Sequence, residues 1–406
     1  MLWWLARALG PLISPSWLMR WRVAAVRHRY KLHSTMLTSA DERILIDLTV
    51  IARRDVRTGI QRVVRSTFTQ MLRQSAGCNI QSVRYNAGAF RHSLWPDLDA
   101  AKGEVVAFQA GDVFLGLDLS LDGIRRDMRR LLRAKRDGVR FWFVVYDLLP
   151  LQIPRYFSAK LVTRFRWWLI ATAKLADGYA CISEQTAEDL RAELALICPD
   201  PTEISIAVIP MGFEIVPSRD NRKRPFPFLL DDIVIAVGTL EPRKGYDDLL
   251  DAFELLWADN CATTLVIVGA PGWKTARLQR RVRSHPELGR RLQWMAKLDD
   301  HGLAMLYSNA RGLVATSYGE GYGLPVLEAV AHGCPVLARD ISAFRANAKH
   351  GLRIFPQHAD PAYLADSIRD MLREGVRTSR MEAAVNLPTW QDTAGAVMAL
   401  ISAKRE

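Results

Sequence analysis

Three short segments of this 406-residue chain gather residue types that handle phosphate and hydroxyl groups. In GTLEPRKGY (238–246), Arg243 and Lys244 stand side by side ahead of a helical pattern. Two cations beside a helix N-terminus, whose free N–H groups already favour negative charge, make a place for a diphosphate; solvated loop cations are the plain alternative. In SYGEGYGLPVLEAVAHG (317–333), Gly319, Gly321 and Gly323 let the backbone approach a ligand closely, and Pro325 sets the first turn of a helix. Glu320 in that loop and Glu328 in that helix are separated by seven residues. One carboxylate can then reach a sugar hydroxyl while the other takes a ribose diol, because carboxylates accept two hydroxyl donors well. An ordinary strand-to-helix connection has the same outline. In DLTVIARRDVRTGIQRVVR (47–65), a strand runs into an Arg-rich loop before Thr58 and Gly59 open a helix holding Gln61 and Arg62 in its first turn. This is either a second phosphate cradle or a simple N-cap.

Other constellations carry less. Tyr146 and Asp147 end an apolar run in VVYDLLP, and either contact a sugar or acceptor or pack at the strand end. Asp97–Asp99 in WPDLDA form a DxD, which suits a metal-diphosphate site. The motif follows Trp95-Pro96, however, and reads as a turn, while the phosphate-binding cations sit elsewhere. The eight histidines form no HxH or HExxH, and Cys78, Cys181, Cys198, Cys261 and Cys334 show no CxxC spacing. No protein-bound metal and no disulfide framework are expected, and a reducing, cytoplasmic compartment fits.

These segments need strands to present them. Short β-branched and aromatic runs alternate with longer helical patterns, the sign of parallel sheets with crossover helices. In the first half the strand candidates are RILIDLT, NIQSVRY, EVVAF, VRFWFVVYD and GYACIS, with helices expected near 60–75, 121–136, 158–176 and 184–195. PSRDNRKRPFPF (217–228) carries three prolines and a charge cluster, and reads as an interdomain linker. Beyond it DIVIAVG, TLVIVGA, RLQWMA, RGLVAT and PVLAR are strand candidates, each followed by a helical pattern. Two doubly wound α/β domains follow, with ligands expected outside the carboxyl ends of the strands.

The chain is 49% apolar and 24% charged, with no uninterrupted apolar run of 18 residues, so no transmembrane helix is expected. Its net charge of +12 favours an anionic partner. The first 33 residues hold Arg7, Arg20, Arg22, Arg27, Arg29 and Lys31, no acid, and Trp3, Trp4, Trp17 and Trp21. Cations interleaved with indoles suit an anionic membrane surface; packing as an N-terminal helix on the first domain is the open alternative. MLWW lacks a basic start, and Arg7, Pro11 and Pro15 interrupt the apolar stretch, which argues against a cleaved signal peptide. The expected location is cytoplasmic, with peripheral attachment to the inner face of a membrane if the leader binds lipid. Basic residues elsewhere are dispersed, as in RRDMRRLLRAKR, and no nucleic-acid module is visible, so nucleic acid is not an expected partner.

Together the segments resemble the retaining glycosyltransferases of family 4 (glycosyl transferases group 1), and within them the bacterial polysaccharide mannosyl- and rhamnosyltransferases. GEGYGLPVLE is similar to that family's pair of glutamates, GTLEPRKGY to its donor-phosphate loop, and RTGIQRVVR to the first N-terminal loop of polysaccharide-making members. YDLLPLQIPRYF, CISEQTAEDL, VIPMGF, KLDDHGLAMLYSNA and LPTWQDTA extend the resemblance over about residues 43 to 400. The chain departs from many relatives in having Tyr146-Asp147 where they carry a His-Asp pair.

The resemblance implies a GT-B fold, two Rossmann-like domains facing across a cleft. The expected division is a leader over 1–40, an N-terminal acceptor domain over 41–215, a linker over 216–230, a nucleotide-sugar domain over 231–388, and a helix over 389–406 returning to the first domain. It implies that Arg243 and Lys244 hold the donor diphosphate and that Glu328 binds its ribose. Glu320 binds hydroxyls of the transferred sugar, helped by the backbone of Gly321, Tyr322, Gly323 and Leu324. Gly59 approaches the phosphates from the other domain, and Tyr146, Asp147 and Arg62 contact the acceptor or sugar. The implied activity is metal-independent hexosyl transfer with retention, from a nucleotide sugar to a glycan or lipid-linked glycan in surface polysaccharide or lipopolysaccharide biosynthesis. No cofactor is expected; the donor is a GDP-, dTDP- or UDP-sugar, GDP-mannose first. A catalytically inactive subunit of a membrane polysaccharide assembly complex and a nucleotide-sugar epimerase of the same architecture are the alternatives.

Overall fold

The computed structural model describes residues 42–56, 58–74, 78–96, 103–198, 200–213, 226, 232–374 and 387–403. The basic leader, Asp97–Asp99 and all of the linker but Phe226 lie outside the described residues. The chain divides into two compact units, Met1–Met211 with Trp390–Glu406, and Gly212–Thr389.

The first unit holds a seven-stranded sheet ordered β3-β2-β1-β4-β5-β6-β7. Its strands are β1 (Arg43–Asp47), β2 (Asn79–Asn86), β3 (Ala89–His92), β4 (Val113–Gly116), β5 (Arg140–Val145), β6 (Gly178–Cys181) and β7 (Ser205–Val208). All pair in parallel except β3, which returns antiparallel on β2 through Ala87 and Gly88, both at positive φ as a tight hairpin turn requires. β4 and β5 are apolar runs covered on both faces, as crossover helices demand, and Phe114, Phe141, Phe143 and Tyr179 pack ring against ring in the core.

Four of the five expected strands form here. EVVAF does not: Val105 is exposed and makes only an isolated bridge to Arg91 beside β3. The place next to β1 belongs to β4, whose four residues are too few to show a period in the sequence. The short β3 and the half-buried edge strand β7 escaped for the same reason. The expected helix over 121–136 is two, Gly123–Arg126 and Met128–Arg136, divided at the buried Asp127, which accepts from the amide of Phe90. After β1 the chain forms a short helix, Thr49–Arg53, where a loop was expected.

The second unit is an all-parallel sheet of six strands ordered β10-β9-β8-β11-β12-β13. These are β8 (Ile233–Val237), β9 (Thr264–Val268), β10 (Leu292–Met295), β11 (Gly312–Ala315), β12 (Val336–Arg339) and β13 (Arg353–Phe355), the last too short to stand out in the sequence. Helices follow β8 (Tyr246–Ala258), β9 (Ala276–Arg283), β10 (Asp300–Asn309), β11 (Leu324–Ala331) and β13 (Pro361–Glu374). Connections leave β8 and β11 toward opposite edges, so a crevice opens between their carboxyl ends.

The helix Trp390–Ser402 belongs to the first unit and packs on the helix Gly59–Gln74. Thr393 Oγ1 donates to Pro210 O (2.8 Å) and Arg140 Nη1 to Ile401 O (2.8 Å), while Trp390, Ala394, Val397 and Ile401 face inward. Val397→Asp places an unpaired carboxylate there and should destabilise the first unit by several kcal/mol, roughly the 3–5 expected for an unpaired buried charge. Denaturant unfolding should show this, with hydrogen exchange accelerated in Gly59–Gln74.

Candidate active site

In the second unit the crevice between β8 and β11 contains a pocket lined by Lys244, Tyr246, Thr316, Ser317, Glu320 and Gly323, above Val314 and Phe344. After β8 the chain makes a 3-10 turn, Pro242–Lys244, and enters its helix through Gly245. Gly245 sits in the left-handed region at φ 68°, and a Cβ there would lie 2.3 Å from Thr316 O, so only glycine lets the two loops meet. They are then tied to each other: Tyr318 N donates to Arg243 O (2.7 Å) and the side-chain hydroxyl Thr316 Oγ1 to Lys244 O (2.8 Å). Gly323, also left-handed at φ 85°, caps the helix Leu324–Ala331, and Phe344 leaves no room for a side chain there.

Three charges meet across these loops. Arg243 Nη1 donates to Glu320 Oε2 (2.9 Å) and Gly319 O (2.7 Å), and Lys244 Nζ to Glu320 Oε1 (2.5 Å). Ser317 Oγ adds a bond to Glu320 Oε1 (2.6 Å), and Arg243 Nε pairs with Glu241 Oε2 (2.9 Å). Burial alone would raise the Glu320 carboxyl, but the Lys244 and Arg243 charges, with the bonds from Lys244 and Ser317, hold it down at about 2. The Glu241 carboxyl is raised by burial against the pull of Arg243 and Lys244. Tyr246, whose hydroxyl donates to Gly238 O (2.6 Å), is held protonated by burial and by the Glu320 and Glu241 charges. Two mostly buried cations thus share an ionised carboxylate beside an open pocket, a set able to exchange one anion for another.

Glu328 is buried in the helix Leu324–Ala331, where its Oε2 accepts from Tyr307 OH (3.0 Å). Tyr322 presents its carbonyl to Asn347 Nδ2 (3.3 Å); Gly321 and Tyr322 form the bend before Gly323, and Leu324 begins the helix. One buried charged side chain beside this loop is not marked out by the sequence motifs. Arg339, at the end of β12, is 1% exposed and donates through Nε to Thr316 O (2.9 Å), beneath the loop bearing Glu320. A charged residue closing the strand run PVLAR was its available signal.

In the first unit Gly59 opens the helix Gly59–Gln74 and is exposed, with nothing within 4 Å of the position a Cβ would take. Thr58 Oγ1 caps that helix by accepting from Gln61 N (3.3 Å). Buried Gln61 closes the preceding loop, accepting from Val56 N (2.9 Å) and donating to Arg54 O (2.7 Å). Arg62 is half-buried on the first turn. Tyr146 is buried, with its hydroxyl on Leu117 O (2.6 Å), the strand-end packing arrangement, while Asp147 Oδ1 accepts from Leu149 N (3.1 Å).

Sequence reasoning also passed over Asp47 and Asp118, buried carboxyls near the carboxyl ends of the adjacent β1 and β4. Asp118 Oδ2 accepts from Val50 N and Ile51 N (2.7 Å each), while Asp47 Oδ1 accepts from the amide (2.9 Å) and hydroxyl of Thr49. Asp47 Oδ2 has no hydrogen-bond partner among the described residues. Burial pushes the Asp47 carboxyl up to about 8, against the Thr49 bonds and with help from the Asp118 charge. Asp118 is raised by burial, and Tyr146 by burial and the Asp118 charge.

Each unit is a doubly wound sheet, and the second carries this cation–carboxylate pocket at its strand-order reversal, the arrangement of the GT-B fold. Residues 218–386 match the family model described as Glycosyl transferases group 1. The chain is 32% identical over 395 residues, 93% of its length, to the serotype-specific mannosyltransferase WbdA of Escherichia coli; it spans 47% of that relative, about half the length of such curated relatives. Among solved structures it is similar to sucrose-phosphate synthase of Thermosynechococcus elongatus (18% identity, 88% of this chain and 98% of that one, TM-score 0.61). It is also similar to HepE of Anabaena in complex with UDP and glucose (14% identity, 89% and 99%, TM-score 0.60). The glycosyl transferases group 1 match lies within the second unit, Gly212–Thr389. Among the described residues no helix is long and apolar enough to cross a membrane.

The native state keeps a proton on Asp47 up to about pH 8, whereas an unfolded aspartate releases it near 3.8. The folded state therefore binds more protons across that window, and stability falls as pH rises from about 4 to 8. Asp47→Asn cannot ionise and should flatten that slope, read as the difference between denaturant midpoints at pH 5 and pH 8 for variant and parent.

Proposed function

We propose that this chain is a metal-independent, retaining hexosyltransferase that moves mannose from GDP-mannose, or a related hexose or deoxyhexose from its nucleotide, to a glycan or lipid-linked glycan of a bacterial surface polysaccharide. The observation that carries it is the Arg243–Glu320–Lys244 cluster at the crevice of a nucleotide-binding type of sheet. Mannose is favoured by the likeness to WbdA, a mannosyltransferase with which 93% of the chain aligns.

In this reading the diphosphate enters the pocket and takes Arg243 and Lys244 from Glu320, whose freed oxygens accept sugar hydroxyls, while Glu328 binds the ribose. The first turn of the helix Leu324–Ala331, entered through Gly321, Tyr322, Gly323 and Leu324, directs its N–H dipoles to the phosphates. Breaking the bond between the anomeric carbon and the diphosphate oxygen leaves charge on the diphosphate, and the sugar becomes oxocarbenium-like. The acceptor hydroxyl attacks the face the diphosphate leaves, and its proton passes to the departing phosphate oxygen. Arg243 and Lys244 supply the neutralisation that a metal ion gives in other transferases, favouring the transition state over the bound donor. At Gly59 neither positive φ nor crowding demands glycine, which supports close approach of a ligand there. Arg62, in the first turn of the same helix, and Asp147, after β5, are assigned to the acceptor side, and Tyr146 supports the β5 end from within. Residues 1–33 are assigned to an anionic membrane surface on composition alone.

Calorimetric titration with GDP, UDP, dTDP and ADP, without added metal, should give micromolar binding to one of them, GDP first. Arg243→Ala and Glu328→Gln should each weaken it at least tenfold, and Arg243→Ala should slow transfer by about 10² to 10³. Folded protein that binds none of the four would remove the donor site and favour a non-catalytic subunit.

A further inference from the structure

Arg339 is fully buried, and its guanidinium faces protein groups. Its guanidinium is used on three sides: Nε to Thr316 O (2.9 Å), Nη1 to Gln357 O (2.6 Å) and Nη2 to Asp248 Oδ2 (2.5 Å). The group lies 4.2 Å from the centroid of the Tyr318 ring and 5.0 Å from that of Phe355. Tyr318 OH donates to the same Asp248 Oδ2 (2.6 Å), and Tyr318 N to Arg243 O (2.7 Å). Burying a guanidinium costs desolvation that an apolar side chain of similar volume avoids, so its return must come from what its directed bonds fix. Those bonds fix one thing near the pocket: Thr316 and Tyr318, the base of the loop that ends in Glu320 and holds the main chain of Arg243.

We infer that Arg339, with Asp248 as its counter-ion, is a positioning residue for the anion site, holding the loop Thr316–Glu320 so that Arg243, Lys244 and Glu320 present their charges to one ligand. Tyr318 is the coupling element, since its ring covers the guanidinium, its hydroxyl shares Asp248 and its amide holds Arg243. A lysine keeps the charge but cannot direct bonds to Thr316 O, Gln357 O and Asp248 together, and methionine keeps bulk without either. The loop therefore loosens in both variants while the pocket side chains stay chemically intact. That this loosening reaches a donor rests on the function proposed above; that it reaches the loop does not.

The test takes the full chain, parent, Arg339→Lys, Arg339→Met and Tyr318→Phe, and reads hydrogen exchange of residues 316–323 without ligand. It also reads calorimetric binding of GDP, UDP, dTDP and ADP, and donor KM, acceptor KM and kcat with GDP-mannose. Faster exchange confined to 316–323, tenfold or weaker nucleotide binding and a raised donor KM with acceptor KM unchanged are expected for Arg339→Lys. The same changes, smaller, are expected for Tyr318→Phe, which should fold even if Arg339→Met does not. Loosened exchange in a chain whose parent binds no nucleotide would support the positioning role and overturn the donor reading. Parent-like exchange and nucleotide affinity in folded Arg339→Lys, with only a lower melting temperature, would overturn the positioning role.

Discussion

Two loops that leave neighbouring strands in opposite directions have no reason to stay together unless something attractive spans them. In the second unit that attraction is the carboxylate of Glu320 between Arg243 and Lys244, reinforced where Thr316 and Tyr318 meet the main chain of the cationic turn. The position is set by the sheet, since the strand order reverses between β8 and β11 and leaves their carboxyl ends unroofed. Gly245 permits the contact, because any side chain there would strike Thr316 O. The result is a site whose cations are already assembled and only partly exposed, so electrostatic interactions are stronger there than in bulk water. In the proposed function an incoming anion exchanges partners with cations already gathered.

The first unit uses its own strand-order reversal differently. There the charged groups near the carboxyl ends of β1 and β4 are acids, Asp47 and Asp118, and burial pushes both upward, where Glu320 is pulled down. The difference lies in the partners. Glu320 faces two cations, whereas Asp47 and Asp118 face backbone amides and a threonine that hold the helix Thr49–Arg53 at the start of the segment leading to Gly59. One crevice gathers two cations around a carboxylate, and the other uses carboxyls to set the course of a loop.

Much of this was legible in the sequence because the signals are local. Adjacent cations ahead of a helix and a glycine-rich turn with its glutamate mark Lys244, Glu320 and Gly323 of the pocket and the adjoining Arg243 without knowledge of the sheet, and long apolar runs such as VRFWFVVYD declare their strands. What stayed hidden depends on contacts distant along the chain. β4 is four residues long and becomes a strand because β1 and β5 flank it, and without β4 the pairing of Asp47 with Asp118 could not be seen. Arg339 looks like a stray charge at a strand end until Thr316, Asp248 and Tyr318 close around it. Tyr146 stands beside an acid in the sequence, but its hydroxyl turns inward to Leu117 O.

If the cations now held by Glu320 are the seat of a nucleotide diphosphate, a crystal structure of the chain with GDP-mannose, or with the nucleotide it binds best, should show it. Diphosphate oxygens are expected within hydrogen-bond distance of both Arg243 and Lys244, with Glu320 released from at least one of them toward the sugar. A diphosphate bound elsewhere, with Arg243 and Lys244 still closed on Glu320, would contradict it.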